Sequence, residues 1–284
     1  NVLIGHEAGD KITDAHSNVG IGYGVLGALQ GGSTPAGDYV AIGVAAGANL
    51  SGAQYGQCIA IGSYALNHGY AAQYSIAIGY QALHYATGSN NIGIGKWAGR
   101  GAGQNTAPYA SGDNNIAVGT QANYTLSTGE DNIGIGHNVN FENRVGSDNI
   151  SMGSYAGYNL LGDGTTAIGY ESSRYASGSS NTFLGRYAGC MITTASNNVV
   201  IGMCAGCNKL NATTSEQVAI GVGNRVHLWG ECKSFGVIET TIAGIATVYS
   251  ATGIVSATAF YGDGSNLSGL AGFSPDSQEN LYAG

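Results

Sequence analysis

Asn132-Ile133-Gly134-Ile135-Gly136 is one copy of a short phrase that runs through most of this chain. The phrase consists of a polar residue, Val or Ile, a small residue, an aliphatic residue and a final Gly, which anchors each copy. Its thirteen anchors follow at spacings of 16 to 24 residues. They are Gly5, Gly22, Gly43, Gly62, Gly79, Gly95, Gly119, Gly136, Gly153, Gly169, Gly185, Gly202 and Gly221. A tandem repeat of this kind predicts one structural unit built thirteen times.

The columns of the phrase predict a strand with two different faces. The residues one and three before the anchor are aliphatic, Met or Thr in every copy, and they share a face because side chains alternate along a strand. The residue between them is Gly, Ala or Ser in ten copies, and the exceptions are Leu3, Phe183 and Val200. We expect the aliphatic pair to point inward. The small-residue face is then free to meet another chain, which predicts a homo-oligomer, most simply a homotrimer.

The period is too short for a helical repeat or a propeller blade, and it fits two short strands and two turns. We therefore predict an all-β, parallel β-solenoid over residues 1–224, with one coil per phrase. At about 4.7–4.9 Å per coil, thirteen coils make a rod on the order of 60 Å long. A small residue three after the anchor is expected to pack inward, and Asn four before it, in eight copies, to form a ladder along the axis. Longer spacings predict surface loops near 29–38 and 101–113.

The repeat ends after Gly221, and the remaining segments have different compositions. Residues 225–239 are interpreted as a cap or transition that covers the last coil. Residues 240–270 are rich in Ile, Val, Thr and Ala and predict a β-rich neck or shaft. Residues 271–284 are interpreted as a linker and the start of a further repeat. Because the chain also opens in mid-pattern, we expect it to be an excerpt of a longer fibre.

Composition and charge exclude several classes of protein. The 284 residues include 49 Gly and only 9% charged residues, which excludes helical bundles and coiled coils, and a hydrophobic content of 43% excludes a disordered chain. No apolar run approaches the length of a membrane span, so no membrane insertion is expected. Nine Lys and Arg against 17 Asp and Glu give a net charge of −8, so nucleic acid is not an expected partner.

Sequence motifs of enzymes are missing or have a simpler explanation. Gly22, Gly24 and Gly27 match a dinucleotide-loop pattern, but the repeat accounts for them and no helix follows. There is no phosphate-binding loop, zinc-protease motif or nucleophile elbow, and no carboxylate pair recurs at a spacing typical of glycosidases. The sequence therefore predicts no catalytic residues, no cofactor and no metal site, and hence a protein that is not an enzyme.

The cysteines and histidines leave alternatives open. Cys190 and Cys207 each lie five residues after an anchor, so they should stack in neighbouring coils, where a disulfide is possible. They are otherwise small buried side chains, or Cys207 and Cys204 form half of a zinc site. The six His are expected to be solvated surface residues, although His6 and His137, directly after anchors, would suit an ion-binding ring in a trimer.

Aromatic residues after the anchors are the candidate surface contacts. Tyr23, Tyr80 and Tyr170 follow an anchor directly, and Trp97, Tyr155 and Tyr187 lie one place later. Exposed aromatic rings beside Asn and Gln can stack on sugar rings and bind their hydroxyls, which predicts contact with a cell-surface glycan. The alternative is that these rings seal the outer corner of the coil or the contact between chains.

The phrases NNIGIGKWAG (90–99), SIAIGYQAL (75–83) and NTFLGRYAG (181–189) resemble the head repeats of YadA-type trimeric autotransporter adhesins and related bacteriophage tail-fibre repeats. The resemblance implies a left-handed parallel β-roll that assembles as a homotrimer. Residues 257–267 likewise resemble neck or shaft segments of phage tail fibres.

The expected function is that of a non-enzymatic bacteriophage tail-fibre segment, a rigid shaft and host-attachment element at the virion or extracellular surface. The alternatives are a bacterial surface adhesin or self-assembling extracellular filament and, third, a polysaccharide-degrading spike.

Overall fold

The computed structural model describes residues 1–29, 37–50, 56–70, 72–101, 110–207, 210–223, 225–231 and 234–236. These residues contain fifteen strands in a single sheet, ordered as in the chain, and no helix. The first thirteen strands are parallel neighbours and form about twelve turns of a β-solenoid, so the prediction of an all-β, parallel β-solenoid is confirmed. Contacts within the chain divide the protein into two compact units, Asn1–Thr240 and Thr241–Gly284. The predicted neck and linker, and most of both predicted loops, lie outside the described residues.

Each of the first twelve strands is only three residues long and ends directly before an anchor glycine. The strands are β1 Val2–Ile4, β2 Val19–Ile21, β3 Val40–Ile42, β4 Ile59–Ile61, β5 Ile76–Ile78, β6 Ile92–Ile94, β7 Ile116–Val118, β8 Ile133–Ile135, β9 Ile150–Met152, β10 Thr166–Ile168, β11 Thr182–Leu184, β12 Val199–Ile201, β13 Gln217–Val222, β14 Arg225–Glu231 and β15 Ser234–Gly236. The parallel register keeps every column aligned, as in the pairing of Ile133 with Ile150. The segment interpreted as a cap contains β14 and β15, which continue the sheet in antiparallel pairing.

The two faces of these strands are the reverse of the prediction. The small residue between the aliphatic pair points inward and is fully buried, as at Ala77 and Ala167, whereas the aliphatic residues lie on the outside. Ile4 is 58% exposed and Ile135 is 37% exposed. The prediction was wrong because it assigned the larger apolar residues to the core without considering how little room a coil of this length encloses. We call these outward residues of β1 to β13, one and three before each anchor, the aliphatic stripe.

Two inward positions share interior space, so no described coil carries a large side chain at both of them. One position lies two residues before the anchor and the other lies four after it. Where the strand supplies Leu3 or Val200, the second position is glycine, and a Cβ on Gly206 would lie 3.2 Å from the Val200 side chain. In coil 11 the second position is Gly189, where a Cβ would collide with the ring of Phe183. This pairing accounts for all three exceptions in the small-residue column.

The small residues three after the anchors pack inward as predicted, and Ala46, Ala82, Ala122 and Ala188 are fully buried. The strands and the turns therefore both contribute small side chains to a narrow core. The buried apolar residues form three clusters along the chain. The middle cluster contains mostly alanine, because Asn123 and Asn140 occupy the interior there.

The asparagine column forms a ladder between side chains and backbone. The backbone N–H of Asn132 donates to Asn115 Oδ1 at 3.0 Å, and the N–H of Asn149 donates in turn to Asn132 Oδ1 at 3.2 Å. Asn132 Nδ2 also donates to the Gly146 carbonyl at 2.8 Å. Because these amides are buried, each hydrogen bond satisfies a backbone group that would otherwise be unpaired. The column thus fixes the register between coils.

The anchor glycines stack directly on one another. Twelve of them have φ between +119° and +142°, a conformation that is essentially restricted to glycine. A Cβ on Gly136 would also lie 2.8 Å from the carbonyl oxygen of Gly153 in the next coil. Both the turn and the close approach of the coils therefore require a residue without a side chain.

We expect Gly136→Ala to lower the free energy of unfolding by about 3 kcal/mol or more, because it combines a forbidden φ with a backbone collision. Gly24→Gln is the control, since Gly24 has φ +60° and open space around it, and Gln81 occupies the equivalent place with φ +51°. The control should cost about 1 kcal/mol. Urea denaturation measures both, and equal losses would contradict the stacking argument.

Candidate surface-contact site

The predicted aromatic residues lie on the outer turn that follows each strand. The residue two after the anchor has a left-handed conformation, as in Trp97 with φ +60° and Tyr155 with φ +58°. Its backbone N–H donates to the residue one after the anchor in the preceding coil, for example from Tyr187 to Tyr170 O at 2.9 Å. These inter-coil hydrogen bonds place side chains of successive coils directly beside each other along the outside.

The six predicted residues form three groups. Tyr155, Tyr170 and Tyr187 form one row, with ring centroids 6.4 and 5.4 Å apart and near-perpendicular planes. Tyr80 and Trp97 form a second pair 6.3 Å apart. Those contacts link neighbouring coils.

Tyr23 lies apart from the other five residues and stacks on His6 at 5.5 Å. A hydrogen bond to Glu7 is the main cause that raises the pKa of the Tyr23 hydroxyl above its usual value.

A further aromatic column was missed by the sequence analysis. The rings of Tyr124, Phe141 and Tyr158 stack face to face at 4.9 and 5.1 Å, with planes within 6° of parallel. Arg100 and Arg174 close the two ends, and the Arg100 guanidinium donates to the Tyr124 hydroxyl at 3.0 Å. All five residues lie five after an anchor. The same spacing was recognised for the two cysteines, so the repeat register would have revealed the column.

Stacking within this column decides what its rings can do. Because the ring faces of Phe141 are covered on both sides, they are not free to receive a sugar. The column therefore serves to hold successive coils together. The exposed tyrosines directly after the anchors remain the candidates for contact with a ligand, together with the half-buried rings one place later.

Two positive charges differ in how they are balanced. The Arg174 guanidinium donates to Glu171 Oε2 at 2.6 Å and also lies 5.4 Å from the Tyr155 ring. Burial acts to raise the pKa of Glu171, but hydrogen bonds from Arg174 and Tyr170 outweigh it and hold that pKa below its ordinary value. Arg186 lies over Tyr187 at 4.9 Å, and within the described residues no carboxylate comes within 4.0 Å of it.

The Cys190–Cys207 pair lies in neighbouring coils, as the register predicts. The two residues are joined as a disulfide with Cα atoms 5.6 Å apart. Cys58 is a buried free thiol, and its burial raises the pKa to about 11. Within the described part of the chain no three His, Cys, Asp or Glu side chains come together in a way that could hold a metal ion.

One histidine pair departs from the expectation of solvated surface residues. His84 is buried, its Nδ1 lies 2.9 Å from the carbonyl oxygen of Tyr64, and its ring lies 5.0 Å from that of His68. Burial lowers the pKa of His84 to about 4, and burial also lowers that of His68. His6 and His137 remain on the outer turn, where they contact Tyr23 and Tyr155.

The disulfide predicts a specific pattern of alkylation. Trypsin releases residues 187–209 as one peptide, which contains Cys190, Cys204 and Cys207. Without reduction we expect one alkyl group on this peptide, because only Cys204 is free, and after reduction we expect three. Mass spectrometry measures both states, with Cys190→Ser as the control that exposes Cys207 to alkylation. Three alkyl groups without reduction would show that there is no bridge.

Burial of His84 predicts lower stability in acid. Well above pH 6.5 the imidazole is neutral in both states. As the pH falls from 6.5 toward 4, the unfolded chain binds a proton that the folded chain does not, so stability falls over this window. Between pH 7.5 and 5.0 the free energy of unfolding of the unsubstituted chain should fall. We expect a smaller fall in His84→Gln, and in the control His6→Gln, at an exposed position, we expect the same fall as in the unsubstituted chain. Urea midpoints at both pH values test this, and an unchanged loss in His84→Gln contradicts it.

Comparisons with known proteins find no match, so the function is proposed from the sequence and the geometry of the chain. No protein-family model, no curated protein and no solved structure matches this chain. In the described residues no helix is long and apolar enough to cross a membrane.

Proposed function

We propose that this chain is a non-enzymatic, fibrous segment whose copies associate side by side, and that it works as a rigid shaft and surface-attachment element. The observation that carries the proposal is the aliphatic stripe. Its twenty-six positions hold only Val, Ile, Leu and Met apart from Thr166 and Thr182, and none carries a charge. Ile21, Ile94 and Leu184 are among its clearly exposed members.

The size of the stripe supports self-association. Thirteen strands at about 4.7–4.9 Å give a length of about 60 Å, and with a width of about 10 Å the stripe covers on the order of 600 Å². That equals the largest apolar patches of typical monomers and approaches the roughly 800 Å² that each partner buries in a stable interface. Because the stripe repeats with the coil period, a second copy in the same register meets an identical aliphatic surface along its whole length.

The number of copies and the handedness of the coils follow from the resemblance to YadA-type heads. Three copies around a common axis would bury three stripes against one another, and the roll would be left-handed. As the sequence analysis expects, the partner is a further copy of this chain. The face that meets it, however, is the aliphatic stripe and not the small-residue face.

A bacteriophage tail fibre is the setting that we propose first, at the virion or another extracellular surface. Repeated weak contacts along a stiff rod give useful attachment through multivalency, even when each contact is weak. A bacterial surface adhesin or extracellular filament protein is the alternative, and neighbouring tail and baseplate genes or a membrane-anchor domain distinguish the two. A polysaccharide-degrading spike would release sugar from host glycans, which the proposed function does not.

Charges placed in the middle of the stripe test the association. We expect the unsubstituted chain to be a trimer at micromolar concentration and Ile133→Asp/Ile135→Asp to be a folded monomer, because buried aspartates lack partners in the interface. Thr128→Asp/Val145→Asp is the matched control, since Val145 is exposed but lies outside the strands.

Light scattering gives the mass, and circular dichroism shows whether the β-structure is kept. A monomeric unsubstituted chain, or a trimer that survives the stripe substitutions, would contradict the proposal.

A further inference from the structure

One arrangement of three side chains occurs twice on the outer turns. In each case a tyrosine directly follows the anchor of one coil, a basic residue directly follows the anchor of the next coil, and an aromatic residue comes immediately after that basic residue. The first set is Tyr80, Lys96 and Trp97, and the second is Tyr170, Arg186 and Tyr187. We call these sets the two platforms.

The geometry of the two platforms is similar. Lys96 Nζ lies 3.9 Å from the centroid of the Trp97 ring, and the Tyr80 ring lies 6.3 Å from that of Trp97. Arg186 Cζ lies 4.9 Å from the Tyr187 centroid and 5.7 Å from that of Tyr170. Each platform therefore presents a cation held against aromatic rings and a neighbouring tyrosine at a steep angle.

The cations of both platforms are available to a ligand. Lys96 and Arg186 are exposed, and across the described ranges neither has a carboxylate within 4.0 Å. Arg174, in contrast, is engaged by Glu171. Tyr80 and Tyr170, at 44% and 41% exposure, keep much of their surface accessible. Glu171 forms no ion pair with Arg186 but interacts with it electrostatically, so the charge of Arg186 is partly balanced within the chain. In a chain with a net charge of −8, two exposed cations without an ion pair at equivalent positions are still a local exception.

We infer that the two platforms bind a glycan that carries carboxylate groups. An aromatic ring packs against the C–H face of a sugar, and a tyrosine hydroxyl can hydrogen-bond to the sugar hydroxyls. A guanidinium or ammonium group pairs with the carboxylate of an acidic sugar, whereas a neutral sugar leaves this charge unused. A nucleic acid fits less well, because its binding depends on neutralising several phosphates at once and the platforms offer only two cations.

The spacing of the platforms extends the inference to a polymer. The basic residues lie five coils apart, which corresponds to about 24 Å at the strand spacing. A polysaccharide of several sugars can bridge this distance along the outside of one chain, and binding at the first platform raises the effective concentration at the second. This inference deepens the proposed attachment function by naming its ligand class, but it does not depend on the aliphatic stripe.

The test uses the full chain and two immobilised polysaccharides, alginate as a polyuronate and dextran as a neutral polymer. We expect binding to alginate and not to dextran. Lys96→Met/Arg186→Met should weaken alginate binding at least tenfold. The control, Lys11→Met/Arg144→Met, removes the same charge from exposed positions outside the platforms and should bind like the unsubstituted chain. Light scattering on each variant separates loss of glycan binding from loss of self-association.

Several outcomes would overturn the inference. No binding to alginate, or equal binding to alginate and dextran, would remove the role of the carboxylate. An equal loss in the control variant, or binding of single-stranded polynucleotide as tight as that of alginate, would show non-specific charge attraction. In contrast, if the chain binds alginate but does not form a trimer, the proposed association is contradicted and the inferred glycan binding is retained.

Discussion

The contact between anchor glycines of successive coils is the constraint on which the rest of the structure depends. Twelve of the thirteen anchors take a φ near +130°, and their hydrogen occupies the place where a Cβ would strike the carbonyl of the next coil. The chain can therefore turn sharply after only three strand residues and still stack at strand spacing. A larger residue at these positions would both change the turn and separate the coils.

A coil closed so tightly has a narrow interior, and this explains the distribution of side chains. Alanine, glycine and serine occupy the inward strand position in ten of the thirteen copies, and where a large residue stands there the position four after the anchor is glycine. Phe183 beside Gly189 and Leu26 beside Gly20 are the two forms of the same solution. The aliphatic residues of the strands are left outside, so the chain keeps an exposed apolar stripe.

The outer turns follow the same stacking logic but lead to different chemistry. Parallel ring stacking in Tyr124, Phe141 and Tyr158 uses the ring faces within the chain, and it reinforces the ladder of Asn side chains on another part of the coil. The platforms leave their cations and tyrosine surfaces exposed. The proposed self-association uses the aliphatic stripe of the strands, whereas the proposed ligand contact uses side chains of the outer turns.

The sequence by itself determined the period, the parallel coil, the alternation of faces and the Asn column, because each depends on spacing along one chain. It also placed Cys190 beside Cys207, since equal distances from two anchors put two residues in one column. The inward face was decided only by the tertiary structure, because the interior volume of a closed coil cannot be deduced from alternation. The same holds for buried His84, whose ring packs against His68 and the Tyr64 carbonyl of the preceding coil.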